Sequence, residues 1–157
     1  MQLNQYNQSM KLTINTHERY DETEIIVNCN CMNEYIEKLL AAIRILEMKL
    51  PCLKDGQQHF IDITRIIYIE SIDKRTFLYT ATEVYESHFK LIELEEKLVK
   101  LDFLRASKNC IFNIRYLHSL RSDLEQRLLL TMEKDIKIVV SRQYSGAVKE
   151  KLEAYHG

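Results

Sequence analysis

The chain has little of what many functional classes require. It holds three glycines and one proline in 157 residues, too few for a flexible linker, a collagen-like repeat or a low-complexity tract. The same scarcity excludes a P-loop and a dinucleotide fingerprint, both of which need glycines at fixed spacing. No run of eighteen apolar residues occurs, so no transmembrane helix is expected. The opening M-Q-L-N-Q-Y-N-Q-S lacks the basic start and apolar stretch of a signal peptide, and a cytoplasmic location is the expectation. Four cysteines are present without a C-x-x-C pair: Cys29 and Cys31 stand two apart, Cys52 and Cys110 alone. They read as reduced, mostly buried thiols rather than a zinc or redox motif. His17, His59, His88, His118 and His156 are scattered without ligand spacing, so no metal and no other cofactor is expected. Ser141-Arg142 has no His or Asp at a motif spacing that would make a nucleophile. The chain does not read as an enzyme, and no small-molecule substrate is expected.

What is present is a globular composition, 46% hydrophobic with a net charge of −1. The near-zero sum conceals an uneven distribution. Residues 1–52 carry a net −2 and residues 53–157 a net +1. Within the second part, Phe103–Arg121 contains Arg105, Lys108, Arg115 and Arg121 and no acid. Ile136–Lys149 contains Lys137, Arg142 and Lys149, again with no acid.

The hydrophobic pattern divides the chain in two. Lys11–Thr16 (K-L-T-I-N-T) alternates as a half-buried strand does, and Glu24–Asn30 (E-I-I-V-N-C-N) is apolar and β-branched. Met32, Tyr35, Ile36, Leu39, Leu40, Ile43 and Leu46 then recur at helical spacing, with Asn30 or Asn33 as N-cap and a stop before Pro51. Residues 1–47 therefore read as a small β-β-α lobe, with residues 1–9 a leader ahead of Met10. The lobe is too short for a phosphorylatable receiver domain, which needs several βα repeats.

From residue 48 to 157 the texture is short strands. Asp55-Gly56 is a hairpin signal. Ile66–Ser71, Thr76–Thr82, Val84–Phe89, Tyr116–Leu120, Arg127–Met132 and Ile136–Val140 read as strands. A leucine-spaced helix runs from Leu91 to Leu101, and a terminal helix covers Tyr144–Tyr155. Glu93, Glu95 and Glu96 read as the solvated face of the first. The class is α+β with a mostly antiparallel β second half.

In F-L-R-A-S-K-N-C-I-F-N-I, 103–114, three polar residues interrupt an apolar run. Ser107, Lys108 and Asn109 form a polar break, with Arg105 beside it. Arg142 stands where a strand gives way to a helix, and Lys74-Arg75-Thr76 lies at a turn. Binding residues concentrate at such positions on a rigid scaffold, and Lys or Arg there meets phosphates or guanine edges. The aromatic residues Tyr68, Phe77, Tyr79 and Tyr85 have core spacing, which disfavours RNA stacking.

I-I-Y-I-E-S at 66–71, L-I-E-L-E-E-K-L at 91–98, the 103–114 stretch and V-S-R-Q-Y at 140–144 together resemble the LytTR DNA-binding domain family, in that order. The resemblance covers about residues 48–155. It implies an elongated, mostly antiparallel β-fold whose loops enter successive major grooves of double-stranded DNA, and hence a bacterial transcriptional regulator. Carried over residue by residue, it implies that Lys74, Arg75 and Thr76, then Ser107, Lys108 and Asn109, then Arg142, meet DNA. Asn113 would be structural. Ser107 stands where the family often has His, Cys110 where it has Tyr, and Lys108 where it has Arg; a lysine lacks the flat two-donor fork and suits phosphate. A homodimer on repeated half-sites is expected, the lobe serving as dimerisation or partner surface. Regulation by a small membrane protein is a further implication of the resemblance. The competing reading is a protein–protein adaptor whose basic loops dock an acidic partner without nucleic acid.

Overall fold

The computed structural model describes residues 10–156. The expected leader, residues 1–9, lies outside the described residues. The chain divides into two units, one ending at Met32 and the other beginning at Asn33.

Described by itself, 10–32 carries no regular element. The strands expected over 11–16 and 24–30 are not formed, although a turn stands between them, closed by the Tyr20 amide on the His17 carbonyl at 3.1 Å. An isolated two-stranded hairpin is marginal in water, and Leu12, Ile14, Ile25 and Ile26 are all exposed. Alternation alone did not supply a partner.

The second unit begins with α1 (Glu34–Ile45). Asn33 caps it, its side-chain oxygen accepting from the Ile36 amide at 3.0 Å. Glu34 and Glu37 occupy its first turn and Arg44 its last, the arrangement the helix dipole favours. Ile36 and Ile45 are buried, and Ile45 shares a crevice with Ile63, Leu101 and Phe103. The sequence pattern grouped this helix with the leading lobe; the structure groups it with the sheets.

Ten strands and two further helices follow: β1 (Lys49–Lys54), β2 (Gln57–Asp62), β3 (Ile66–Ile72), β4 (Arg75–Thr80), β5 (Val84–Ser87), α2 (Leu91–Leu98), β6 (Phe103–Ser107), β7 (Cys110–Asn113), β8 (Leu117–Ser122), β9 (Leu128–Met132), β10 (Lys137–Val140) and α3 (Arg142–His156). Seven strands form one sheet in the order β2-β1-β5-β4-β3-β7-β6, and three form a second, β10-β9-β8. Every pairing is antiparallel. The fold is α+β, as expected. Asp55-Gly56 turns β1 into β2 with φ of 51° and 74°. Such left-handed pairs match the twist of the flanking strands.

Strand alternation gives the large sheet two apolar faces. Ile69, Leu78 and Ile111 lie side by side in register across β3, β4 and β7, and Leu94 and Leu98 of α2 join them in one core. On the opposite face, Phe112 sits in a second core with Leu128, Leu130 and Met132 of β9 and with Val148 and Leu152 of α3. The β3-β7-β6 half of the sheet is thus clamped from both sides, and its strand ends are held rigidly. Asn113, 2% exposed, pins the same region: its Nδ2 donates to the Ile66 carbonyl at 2.9 Å and its Oδ1 accepts from the Arg115 amide at 3.1 Å. Among the described residues, no helix is long and apolar enough to cross a membrane.

Candidate nucleic-acid interface

Three chain segments meet at one end of the large sheet. The β3–β4 turn contains Asp73 and Lys74, with φ of 48° and 65°. The β6–β7 turn contains Lys108 and Asn109. Glu70 on β3 lies opposite Cys110 on β7, and the Ser71 amide donates to the Asn109 carbonyl at 2.8 Å. The third segment is the β10–α3 junction, where the Ser141 amide donates to the Ala106 carbonyl at 2.9 Å. Ala106 can accept this bond because β6 is irregular there: the register with β7 passes from Arg105↔Ile111 to Ser107↔Cys110, leaving Ala106 out of the ladder. Backbone bonds alone therefore connect the Lys74 turn to the Lys108 turn, and the Lys108 turn to the Arg142 junction.

The cations at this end fall into two groups. Arg105 is turned inward, its side chain 15% exposed. Its Nε donates to the Ser107 carbonyl at 2.7 Å, its Nη2 to the Lys108 carbonyl at 2.5 Å, and its Nη1 to Glu95 Oε2 at 2.6 Å. It uses its flat array of donors to hold the turn from beneath and to tie it to α2. Arg75 makes a two-pronged pair with Glu86, Nε to Oε1 at 2.8 Å and Nη2 to Oε2 at 2.5 Å, and its guanidinium lies 5.2 Å above the Phe77 ring. The Arg75 hydrogen bond draws the Glu86 carboxyl below its usual range, and burial opposes it only in part. Both arginines have their charge matched within the chain.

Lys74, Lys108 and Arg142 are exposed, and none has an ion pair among the described residues. Asn109 is also exposed, and Ser107 is half-buried with its Oγ accepting from the Asn109 amide at 3.3 Å. Thr76 is a correction to the sequence reading. It is 4% exposed, because strand alternation that turns Arg75 outward turns Thr76 inward, opposite the buried Ser87. It presents no side chain at this end.

Sequence reasoning missed the partners of both arginines. Glu95, grouped with the solvated face of α2, reaches Arg105; Glu93 accepts from the Lys90 amide at 2.7 Å as part of the helix start. It also missed His88 and Lys90, exposed in the β5–α2 connection. The Thr76↔Ser87 register brings this connection to the same end of the sheet. The only signal for them was position directly after a strand.

Comparison with known proteins identifies the family and the fold. Over 145 residues, 91% of this chain and 98% of the other, the chain is 25% identical to an "uncharacterized HTH-type transcriptional regulator" of Staphylococcus aureus strain MSSA476. It is 29% identical over 92 residues to the "sensory transduction protein LytT" of Bacillus cereus, covering 59% of this chain and 37% of that protein. A solved "LytTr DNA-binding domain of putative methyl-accepting/DNA response regulator" from Bacillus cereus superposes with a TM-score of 0.64 at 21% identity, covering 67% of this chain and 96% of that one, a likeness of fold. The family described as the LytTr DNA-binding domain matches residues 56–153, from the β1–β2 hairpin into α3. That span contains all three segments gathered at the sheet end, and the chain belongs to the LytTr DNA-binding domain family.

Proposed function

We propose that this chain is a sequence-specific transcriptional regulator that sets the sheet end carrying Lys74, Lys108, Asn109 and Arg142 into the major groove of double-stranded DNA, two copies acting on a pair of repeated half-sites. One observation carries the reading. Of the cations gathered there, Arg75 and Arg105 are satisfied inside the chain, whereas Lys74, Lys108 and Arg142 are exposed on three separate segments without an ion pair among the described residues. Side chains left unpaired on a clamped scaffold suit a polyanion. Lys74 and Lys108, compact point charges, suit phosphates; Arg142, with its planar fork, suits the O6 and N7 edge of a guanine. Ser107 and Asn109 lie between them as hydrogen-bonding groups. The relatives named as transcriptional regulators support the same role.

The test is binding to the DNA upstream of the protein's own coding region, titrated against salt and against unrelated DNA of equal length. The expected result is selective binding that weakens steeply as salt rises, because each neutralised phosphate contributes about −0.9 to the log–log slope. Equal affinity for both DNAs at every salt concentration removes the sequence-specific reading. No binding to either, with capture of an acidic protein instead, makes the chain an adaptor.

A further inference from the structure

The three basic segments gathered at the end of the large sheet have a fourth beside them. β5 runs towards that end, and Ser87, its last residue, pairs with Thr76. His88, Phe89 and Lys90 therefore stand level with the β3–β4 turn, beyond the strand next to β4. His88 and Lys90 are exposed, and no acid lies between Glu86 and Glu93.

The connection is fixed in place and the acids that flank it are occupied. The Phe89 amide donates to the Ser87 hydroxyl at 3.1 Å, and Phe89 packs against the core that holds Leu91, Leu94 and Leu98 of α2. Glu93 turns its carboxylate back on the Lys90 amide at 2.7 Å, and Glu86 holds Arg75. The Lys90 ammonium has no ion pair among the described residues. It is a cation on an anchored stretch of backbone, with the neighbouring carboxylates committed elsewhere.

Strand spacing indicates what such a cation meets. In the order β5-β4-β3-β7-β6, the Lys74 and Lys108 turns lie two strand spacings apart, about 10 Å. That fits within a major groove about 12 Å wide. β5 ends one and a half spacings outside the Lys74 turn, about 7 Å further. With the two turns in the groove, the connection falls past its rim, over the sugar–phosphate strand that bounds it. A lysine is a compact point charge, and phosphate is the group it suits there.

We propose that the β5–α2 connection is a fourth DNA-contacting segment, in which Lys90 neutralises a phosphate of the strand bounding the groove on the Lys74 side. This rests on the DNA reading above and adds a contact that seats the sheet end without choosing the sequence.

The experiment uses the full chain as wild type, Lys90→Gln and Lys90→Arg. Anisotropy titrations over a range of salt are made on the upstream DNA and on unrelated DNA of equal length. Lys90→Gln lowers the salt slope by roughly one unit on both DNAs, keeps the preference between them and keeps the urea midpoint; Lys90→Arg restores the slope. Duplexes carrying one neutral methylphosphonate each, placed in turn along the protected stretch, then locate the contact. At one position the neutral group weakens the wild type severalfold and leaves Lys90→Gln unaffected. Selective binding by the wild type with an unchanged slope in Lys90→Gln overturns this contact and leaves the regulator reading standing. So does a variant that loses its preference between the DNAs, or a methylphosphonate effect equal in both proteins at every position. A wild type without affinity for either DNA removes the regulator reading and this contact together.

Discussion

Replacing Arg105 by methionine separates a residue that shapes the β6–β7 turn from one that touches DNA. The guanidinium makes three bonds from a side chain only 15% exposed: two to the Ser107 and Lys108 carbonyls and one to Glu95. Hydrogen bonds to a charged group contribute about 1.5–3 kcal/mol each when desolvated. The Glu95 side chain is 40% exposed, so its pair is discounted to the ~0–1 kcal/mol of a surface ion pair. The turn carbonyls regain water when released, and methionine keeps most of the aliphatic packing, leaving a net loss of about 2 kcal/mol. For a domain of this size that is a drop in Tm on the order of 6–8 °C. With the turn meeting DNA as proposed, its binding shape is then populated for a smaller fraction of the time, weakening apparent affinity by up to roughly 30-fold. The salt slope stays the same, because no phosphate contact is removed. Differential scanning fluorimetry and anisotropy titrations at several salt concentrations give both readouts. An unchanged Tm with a slope reduced by about one unit would falsify the internal role and make Arg105 a phosphate contact.

Other substitutions divide along the same line. Lys108→Ala weakens all DNA sequences alike and lowers the salt slope by roughly one unit, whereas Arg142→Ala costs about 1–3 kcal/mol and relaxes preference at a single base position; competition with single-base operator variants tells the two apart. Asn113→Ala strands a buried carbonyl at Ile66 and an amide at Arg115, so urea unfolding shows a loss of about 2–3 kcal/mol. Arg75→Gln tests the Glu86 pair. The Glu86 carboxyl is held below its ordinary value of 4.5 when folded, so its stabilisation is present above that value and lost as pH falls through the lower folded one. The wild type is therefore the more stable at pH 7 by urea midpoint, and the two converge as pH falls below the ordinary carboxylate range; a difference that persists unchanged at low pH contradicts the pairing.

Much of the compact unit is legible in the sequence because its signals are local. Asp55-Gly56 marks its hairpin through the left-handed backbone it needs, and the leucine spacing read over 91–101 marks α2 by the face it buries, although the helix ends at Leu98. The S-K-N interruption announced a turn, and a turn is there. The arginines were not legible. Whether the charge of Arg75 or Arg105 is left unmatched depends on Glu86 and Glu95, acids on other elements that only the fold brings near. Thr76 shows how narrow the margin is on a strand, where one position decides between inside and outside. The 11–16 and 24–30 stretches fail for the opposite reason: the local pattern is clear, but a strand is a relation between two segments, and among the described residues neither stretch is paired.

The hold of Arg105 on the β6–β7 turn acts through main-chain oxygens alone, and Ser71 likewise grips this turn by a main-chain oxygen of Asn109. The path of the backbone across this turn thus depends little on the side chains of Lys108 and Asn109, while the Ser107 hydroxyl adds one bond to the Asn109 amide. For the engineer, the same tolerance makes positions 108 and 109 a cassette: libraries randomised there vary the groups presented at this sheet end while the framework that carries them stays constant.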